Sequence, residues 1–178
     1  MKNKIRKPNR YSGHDYSLPG FYFVTICTDE MKEYFGKVEK GEIKLNQLGK
    51  ITENYWSEIP KHFQEIELEE FIVMPNHIHG IINIVADAYT RPDGTEAAYM
   101  RPLQSDRSKM LLSKIIQGYK AAVSREAKRK FNISFRWQRS FYDRVIRTQD
   151  SLNKIRQYIE RNPKFWDEDK NKVENIFY

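Results

Sequence analysis

His77 and His79 stand one residue apart in the segment Met74-Pro75-Asn76-His77-Ile78-His79-Gly80, inside an apolar run. Residues i and i+2 of a strand point to one face, so this spacing sets two imidazoles side by side. The whole chain holds only four histidines. Burying two polar rings costs free energy unless something compensates. Neighbouring side chains or water could do so; a metal ion would satisfy both rings at once. Imidazole suits several transition metals, and a harder cation such as Mg²⁺ or Mn²⁺ would need added oxygen ligands.

A second candidate is Tyr158, in Tyr158-Ile159-Glu160-Arg161-Asn162-Pro163. Leu152, Ile155 and Ile159 form the apolar stripe of the helix predicted there. Tyr158 falls about 90° from the centre of that stripe, at the border of the buried face. Asn162 follows one turn later on the same side. A border tyrosine is ordinarily an amphipathic core residue. With 11 tyrosines in the chain, composition alone does not single this one out.

Charge placement is the third feature. The chain carries a formal +7, yet the segment 107–147 holds 12 Lys/Arg against Glu126 and Asp143, a local excess of +10. Lys114, Lys120, Arg125, Lys128, Arg129, Arg136, Arg139, Arg144 and Arg147 are its candidate phosphate contacts. Tyr119, Phe131, Phe135, Trp137, Phe141 and Tyr142 are interleaved with these cations, and aromatic faces stack on unpaired bases. Single-stranded or hairpin nucleic acid is the partner this pattern suits. A solvated basic helix face with its aromatics in the core is the plainer alternative.

The elements that must position these groups follow from periodicity. Phe21–Thr28 is β-branched and aromatic throughout and reads as a strand covered on both faces. Tyr34–Val38 and Glu42–Leu45 flank Gly41 as a hairpin. Asn46 caps a helix to about Ile59, with Leu48, Ile51, Tyr55 and Ile59 inward and Pro60 ending it. Ile66–Met74 and His77–Val85 are strands joined by a turn at Pro75-Asn76. The stretch 86–107 reads as a long loop insertion. Ser108–Lys130 is an amphipathic helix with Leu111, Leu112, Ile115, Ile116, Tyr119 and Val123 on its apolar side. Phe141–Arg147 is a last strand, and Thr148 caps a helix that ends near Asn162 before Pro163. The tail from Lys164, including 167–178, is expected to pack back on the body. Tight turns between strands require antiparallel pairing, so the order of elements favours an α+β sandwich.

The 178 residues suit one core and a single domain spanning 1–178. The lone cysteine, Cys27, allows no internal disulfide, reads as a buried thiol and fits a reducing compartment. Met1–Arg10 is basic and polar, unlike a signal peptide, and no run approaches the roughly 20 apolar residues of a membrane span. A cytoplasmic location is the expectation.

Taken together, these residues resemble the HUH single-tyrosine transposases, most closely the branch of REP-associated tyrosine transposases. Met74-Pro75-Asn76-His77-Ile78-His79 is similar to their HUH motif, in which two histidines flank a bulky apolar residue. His14-Asp15-Tyr16, Pro19-Gly20 and Tyr22-Phe23-Val24-Thr25 resemble the opening strand. Trp137-Gln138, Phe141-Tyr142-Asp143 and Ile146-Arg147 resemble the segment before the catalytic helix, and Tyr158-Ile159 with Asn162-Pro163 resemble that helix. Similarity runs from about Tyr11 to Trp166.

The resemblance implies a ferredoxin-like sandwich: a central antiparallel sheet, helices packed mainly on one face, both histidines on a central strand. It implies metal-dependent cleavage and rejoining of single-stranded or hairpin DNA in a prokaryotic cytoplasm. Tyr158 would then be the nucleophile, with His77, His79 and Asn162 holding Mg²⁺ or Mn²⁺. A monomer or a homodimer exchanging the tyrosine helix would both fit. A non-catalytic single-stranded nucleic-acid-binding module is the alternative, and a small-phosphoester hydrolase would leave the basic, aromatic second half unexplained.

Overall fold

The computed structural model describes residues 18–85 and 111–166. The His14-Asp15-Tyr16 motif, the 86–107 insertion, the start of the long helix before Leu111 and the 167–178 tail lie outside the described residues.

In chain order the elements are β1 (Gly20–Cys27), β2 (Gly36–Glu39), β3 (Glu42–Leu45), α1 (Gln47–Ser57), α2 (Ile59–His62), β4 (Ile66–Val73), β5 (His77–Ile84), α3 (Leu111–Phe131), β6 (Tyr142–Ile146) and α4 (Gln149–Arg161). Four strands form one sheet in the order β4-β5-β1-β6. Every neighbouring pair is antiparallel. The connection from β1 to β4 contains α1 and skips over β5. The connection from β5 to β6 contains α3 and skips over β1. That is the split arrangement of the ferredoxin-like sandwich, as expected.

β1 and β5 are the two central strands, buried almost end to end. Alternate side chains of β1 enter two different cores. Tyr22, Val24 and Ile26 pack with Ile78 and Ile82 against α1 and α3. Phe23, on the other face, packs with Ile81 and Ile146 against Leu152, Ile155 and Ile159 of α4. Among the described residues, α1 and α3 therefore cover one face and α4 covers the other.

Details of the expected elements shift for physical reasons. Asn46 caps α1, its Oδ1 accepting from Gly49 N at 2.9 Å. The buried line of α1 is Leu48, Thr52 and Trp56 rather than Leu48, Ile51 and Tyr55, because the large Trp56 ring turns inward. It lies against Gly80, where a Cβ would come within 2.3 Å of Trp56 Cζ2. Pro60 does not close α1. It sits in the first turn of α2, where its missing N–H is not needed. The β2–β3 hairpin turns on Lys40 and Gly41, both with positive φ, 52° and 75°, as a two-residue turn between twisted strands requires.

Candidate active site

His77 and His79 lie on the α4-facing side of β5, as the strand spacing predicts. Across the sheet His79 is paired with Thr25, and Thr25 in turn with Tyr142 of β6. His77 is paired with Cys27. The two imidazole centroids are 4.5 Å apart. Both rings are buried, and Phe23 stacks on His79 at 5.3 Å.

Each ring is held through Nδ1. Thr25 Oγ1 lies 2.8 Å from His79 Nδ1, and Asn76 Oδ1 lies 2.8 Å from His77 Nδ1. Burial drives both imidazoles toward the neutral form. His77 is pulled down to about 4 from its ordinary 6.5, with Asn162 offsetting part of the effect. His79 falls well below the ordinary value through burial and the neighbouring His77. Neutral rings keep a lone pair, the form in which imidazole binds metals.

α4 delivers the other groups. Thr148 caps it, Oγ1 accepting from Ser151 N at 3.2 Å. Leu152, Ile155 and Ile159 seat it on the sheet, and Arg156 pairs with Glu69 and Glu70 of β4. With the helix so placed, Tyr158 is half-buried at the border of its inner face. Its hydroxyl lies 3.4 Å from His79 Nε2. One turn on, Asn162 is only 2% exposed. The chain continues as a 3₁₀ turn over Asn162–Phe165, and Trp166 stacks on His77 at 6.0 Å. Trp166 was not among the residues singled out from the sequence. Its indole closes the far side of the histidine pair.

Two buried polar atoms in this cluster, His77 Nε2 and Asn162 Oδ1, make no well-formed hydrogen bond among the described residues, although Asn162 is near enough to His77 to favour its charged form. Such atoms cost free energy when left unmet. Among the described residues there is no group of three His, Cys, Asp or Glu suited to a metal. The donors gathered here are instead two imidazole nitrogens and one amide oxygen. That set fits a divalent cation that keeps further positions for oxygen ligands.

The basic candidates divide. Lys114, Arg125, Lys128, Arg129, Arg136, Arg139, Arg144 and Arg147 are exposed. Arg129 pairs with Glu126, and Lys128 donates to Asn132 Oδ1. Arg144 is paired with Phe23 in the sheet, so it shares the histidines' face. Lys120 is different: its Nζ donates to Gln138 O at 2.9 Å and Ser140 O at 3.0 Å. Burial lowers its ammonium to about 8. It clamps the 138–140 segment to α3.

The stacking reading of the aromatics is largely overturned. Tyr119, Phe135 and Phe141 belong to the large core, with Phe131 and Trp137 packed against it, because a core of this size needs them. Only Tyr142 shares the site's face. Cys27 is buried, and burial pushes its thiol up to about 12, leaving it unreactive.

No family model matches the chain. An uncharacterized protein of Haemophilus influenzae is 32% identical over 164 residues, covering 92% of this chain and 91% of that protein. The chain belongs to that protein's family. Among solved structures, that of a REP-associated tyrosine transposase bound to a REP hairpin is similar with a TM-score of 0.55. The match covers 87% of this chain and 73% of that one, at 15% identity. The fold named from sequence resemblance is therefore the fold observed. No helix among the described residues is long and apolar enough to cross a membrane.

Proposed function

We propose that this chain is a metal-dependent HUH-type tyrosine transposase that cleaves and rejoins single-stranded or hairpin DNA. The observation that carries the proposal is the convergence of Tyr158, His77, His79 and Asn162 on one face of this fold. The tyrosine hydroxyl stands 3.4 Å from a histidine nitrogen that is 79 residues away in sequence. The hairpin DNA held by the structural relative supports DNA as the partner.

Tyr158 supplies the attacking oxygen. Its phenol oxygen bonds to the scissile phosphorus as the P–O3′ bond breaks, giving a 5′-phosphotyrosine and a 3′-hydroxyl; the phenol proton is lost and the leaving 3′-oxygen gains one. The reverse attack by a 3′-hydroxyl restores a phosphodiester, so joining needs no nucleotide cofactor. Phe23 at the edge of the Tyr158 ring and the seated α4 aim the phenol. His77, His79 and Asn162 would hold Mg²⁺ or Mn²⁺, which when bound polarises the phosphate and offsets developing charge. The exposed Arg144, on the same face of the sheet as the histidines, provides a phosphate contact.

Incubation with a hairpin oligonucleotide carrying single-stranded flanks and Mn²⁺, followed by denaturing electrophoresis, tests this. A covalent protein–DNA adduct is expected, lost in Tyr158→Phe while hairpin binding persists. Adduct formed equally by that variant, or cleavage unchanged in EDTA, would overturn the assignment.

A further inference from the structure

We propose that Asn76 is the positioning residue that sets the tautomer of His77, leaving the Nε2 lone pair bare on the side of Asn162. The inference rests on the metal-binding reading above for its purpose, but not for its geometry.

The Asn76 carboxamide lies between two groups of known character. Its Nδ2 donates to the backbone carbonyl of Met31 at 2.9 Å. A carbonyl oxygen only accepts, so the amide nitrogen must be the end that faces Met31. The amide oxygen is then the end facing His77, 2.8 Å from Nδ1. That oxygen also only accepts, so the hydrogen lies on His77 Nδ1. A neutral imidazole carries one N–H; with it on Nδ1, Nε2 has none. His77 Nε2 and Asn162 Oδ1 make no well-formed hydrogen bond, although Asn162 stands close enough to His77 to favour its protonated form. With the Asn76 contact placing the hydrogen on Nδ1, Nε2 and Asn162 Oδ1 are two neighbouring acceptors, and two acceptors without a donor are what a cation satisfies.

The amide cannot easily turn over. The Asn76 backbone carbonyl accepts from Thr28 N at 2.9 Å and from Thr28 Oγ1 at 3.0 Å. Met74 N donates to His77 O across the turn at 2.8 Å. Both ends of the two-residue turn are thus anchored before the side chain makes any choice. A flipped amide would set NH₂ against Nδ1 and its oxygen against the Met31 carbonyl, exchanging a donor–acceptor contact for a repulsive one.

His79 has no equivalent constraint. Thr25 Oγ1 both donates and accepts, so its contact with His79 Nδ1 permits either tautomer. The two rings of the motif are thus held by different logic, one by a directional amide and one by a rotatable hydroxyl. This follows from Asn76 being the residue directly before His77, at the turn.

Long-range ¹H–¹⁵N correlation spectra of the full-length, metal-free protein test this directly. The four histidines are assigned by replacing His14, His62 and His79 in turn. His77 is expected as the Nδ1–H tautomer; an Nε2–H signal at neutral pH overturns the proposal. Asn76→Ala is expected to lose the Nδ1–H preference and weaken Mn²⁺ binding, measured calorimetrically, by about 10–100-fold. Asn76→Asp keeps an acceptor toward His77 but sets its second oxygen against the Met31 carbonyl; it is expected to keep the Nδ1–H tautomer with lowered stability. If the alanine and aspartate variants show the same tautomer preference, Asn76 is only a turn residue and the proposal fails. Should Asn76→Ala not fold, the wild-type spectrum and the aspartate variant still decide. Wild-type protein showing Nδ1–H but no Mn²⁺ binding would sink the metal reading while upholding the tautomer assignment.

Discussion

On one face of the sheet, α1 and α3 bury Tyr22, Val24, Ile26, Ile78 and Ile82 beneath Trp56, Leu112, Ile115 and Ile116. On the other, α4 covers a short apolar patch of Phe23, Ile81 and Ile146, and beyond that patch the same strands present Thr25, His77 and His79. β1 and β5 contribute to both faces in alternate positions. The first face therefore carries most of the apolar burial and hence most of the stability. The second gives up apolar area to hold polar groups whose hydrogen-bonding capacity is only partly met. Alternation along a central strand is what lets one chain of 178 residues do both: each residue step changes the solvent, the partners and the role.

If that division is real, the largest blow to stability comes from the face remote from the chemistry. Trp56→Ala should cost about 3–5 kcal/mol, the range for truncating a buried aromatic, read as a fall in the urea midpoint. The fraction that remains folded should still form the DNA adduct. Adduct formation lost in proportion beyond the folded fraction would show that the faces are coupled.

Acid separates the faces next. His77 and His79 are held neutral by burial, so the unfolded chain takes up their protons at higher pH than the folded chain does. Stability from His77 is complete above about pH 6.5 and is lost as pH falls toward about 4, and that from His79 is lost in the same direction. For His77 alone the loss is on the order of 3 kcal/mol, from 1.36 kcal/mol per unit. Urea midpoints at pH 7 and pH 5 should diverge in the wild type and converge in His77→Ala/His79→Ala. An equal pH slope in both proteins would place the acid sensitivity elsewhere.

Gly80→Ala is the smallest change and the sharpest probe, because Gly80 follows His79 on the strand both faces share. Its new Cβ would meet the Trp56 ring. Displacing that ring should cost about 1–3 kcal/mol by overpacking. Calorimetry should also find weaker Mn²⁺ binding, since the strand that retreats from Trp56 carries His79. Unchanged metal affinity with lowered stability would mean that the strand stays in place and the ring alone moves.

Much of this was legible in the sequence, for reasons particular residues make clear. Periodicity two put His77 and His79 on one face, and periodicity 3.6 put Tyr158 at a border and Asn162 beside it; the structure places all four together. Tight turns called for antiparallel pairing, and the family resemblance implied the ferredoxin-like arrangement that the sheet shows. Tyr158, by contrast, stood out only through family resemblance, because proximity across 79 residues leaves no local signal. Register was equally hidden, so Thr25 opposite His79 looked like any strand threonine. Lys120 reads as a surface cation until the 138–140 carbonyls fold over it. Trp166 lies just past a proline-containing turn whose direction no spacing rule gives, yet its indole lies on His77.

Tyr158 and Asn162 sit one turn apart on the last helical residues of a single element, and Arg156 ties that element to β4 through Glu69 and Glu70. On the proposed reading, nucleophile and third ligand would travel as one unit. Lifting α4 from the sheet would withdraw both from the histidines. The helix would then work as an interlock: the residue that cuts a strand and the residue that completes the ligand set would arrive and leave together.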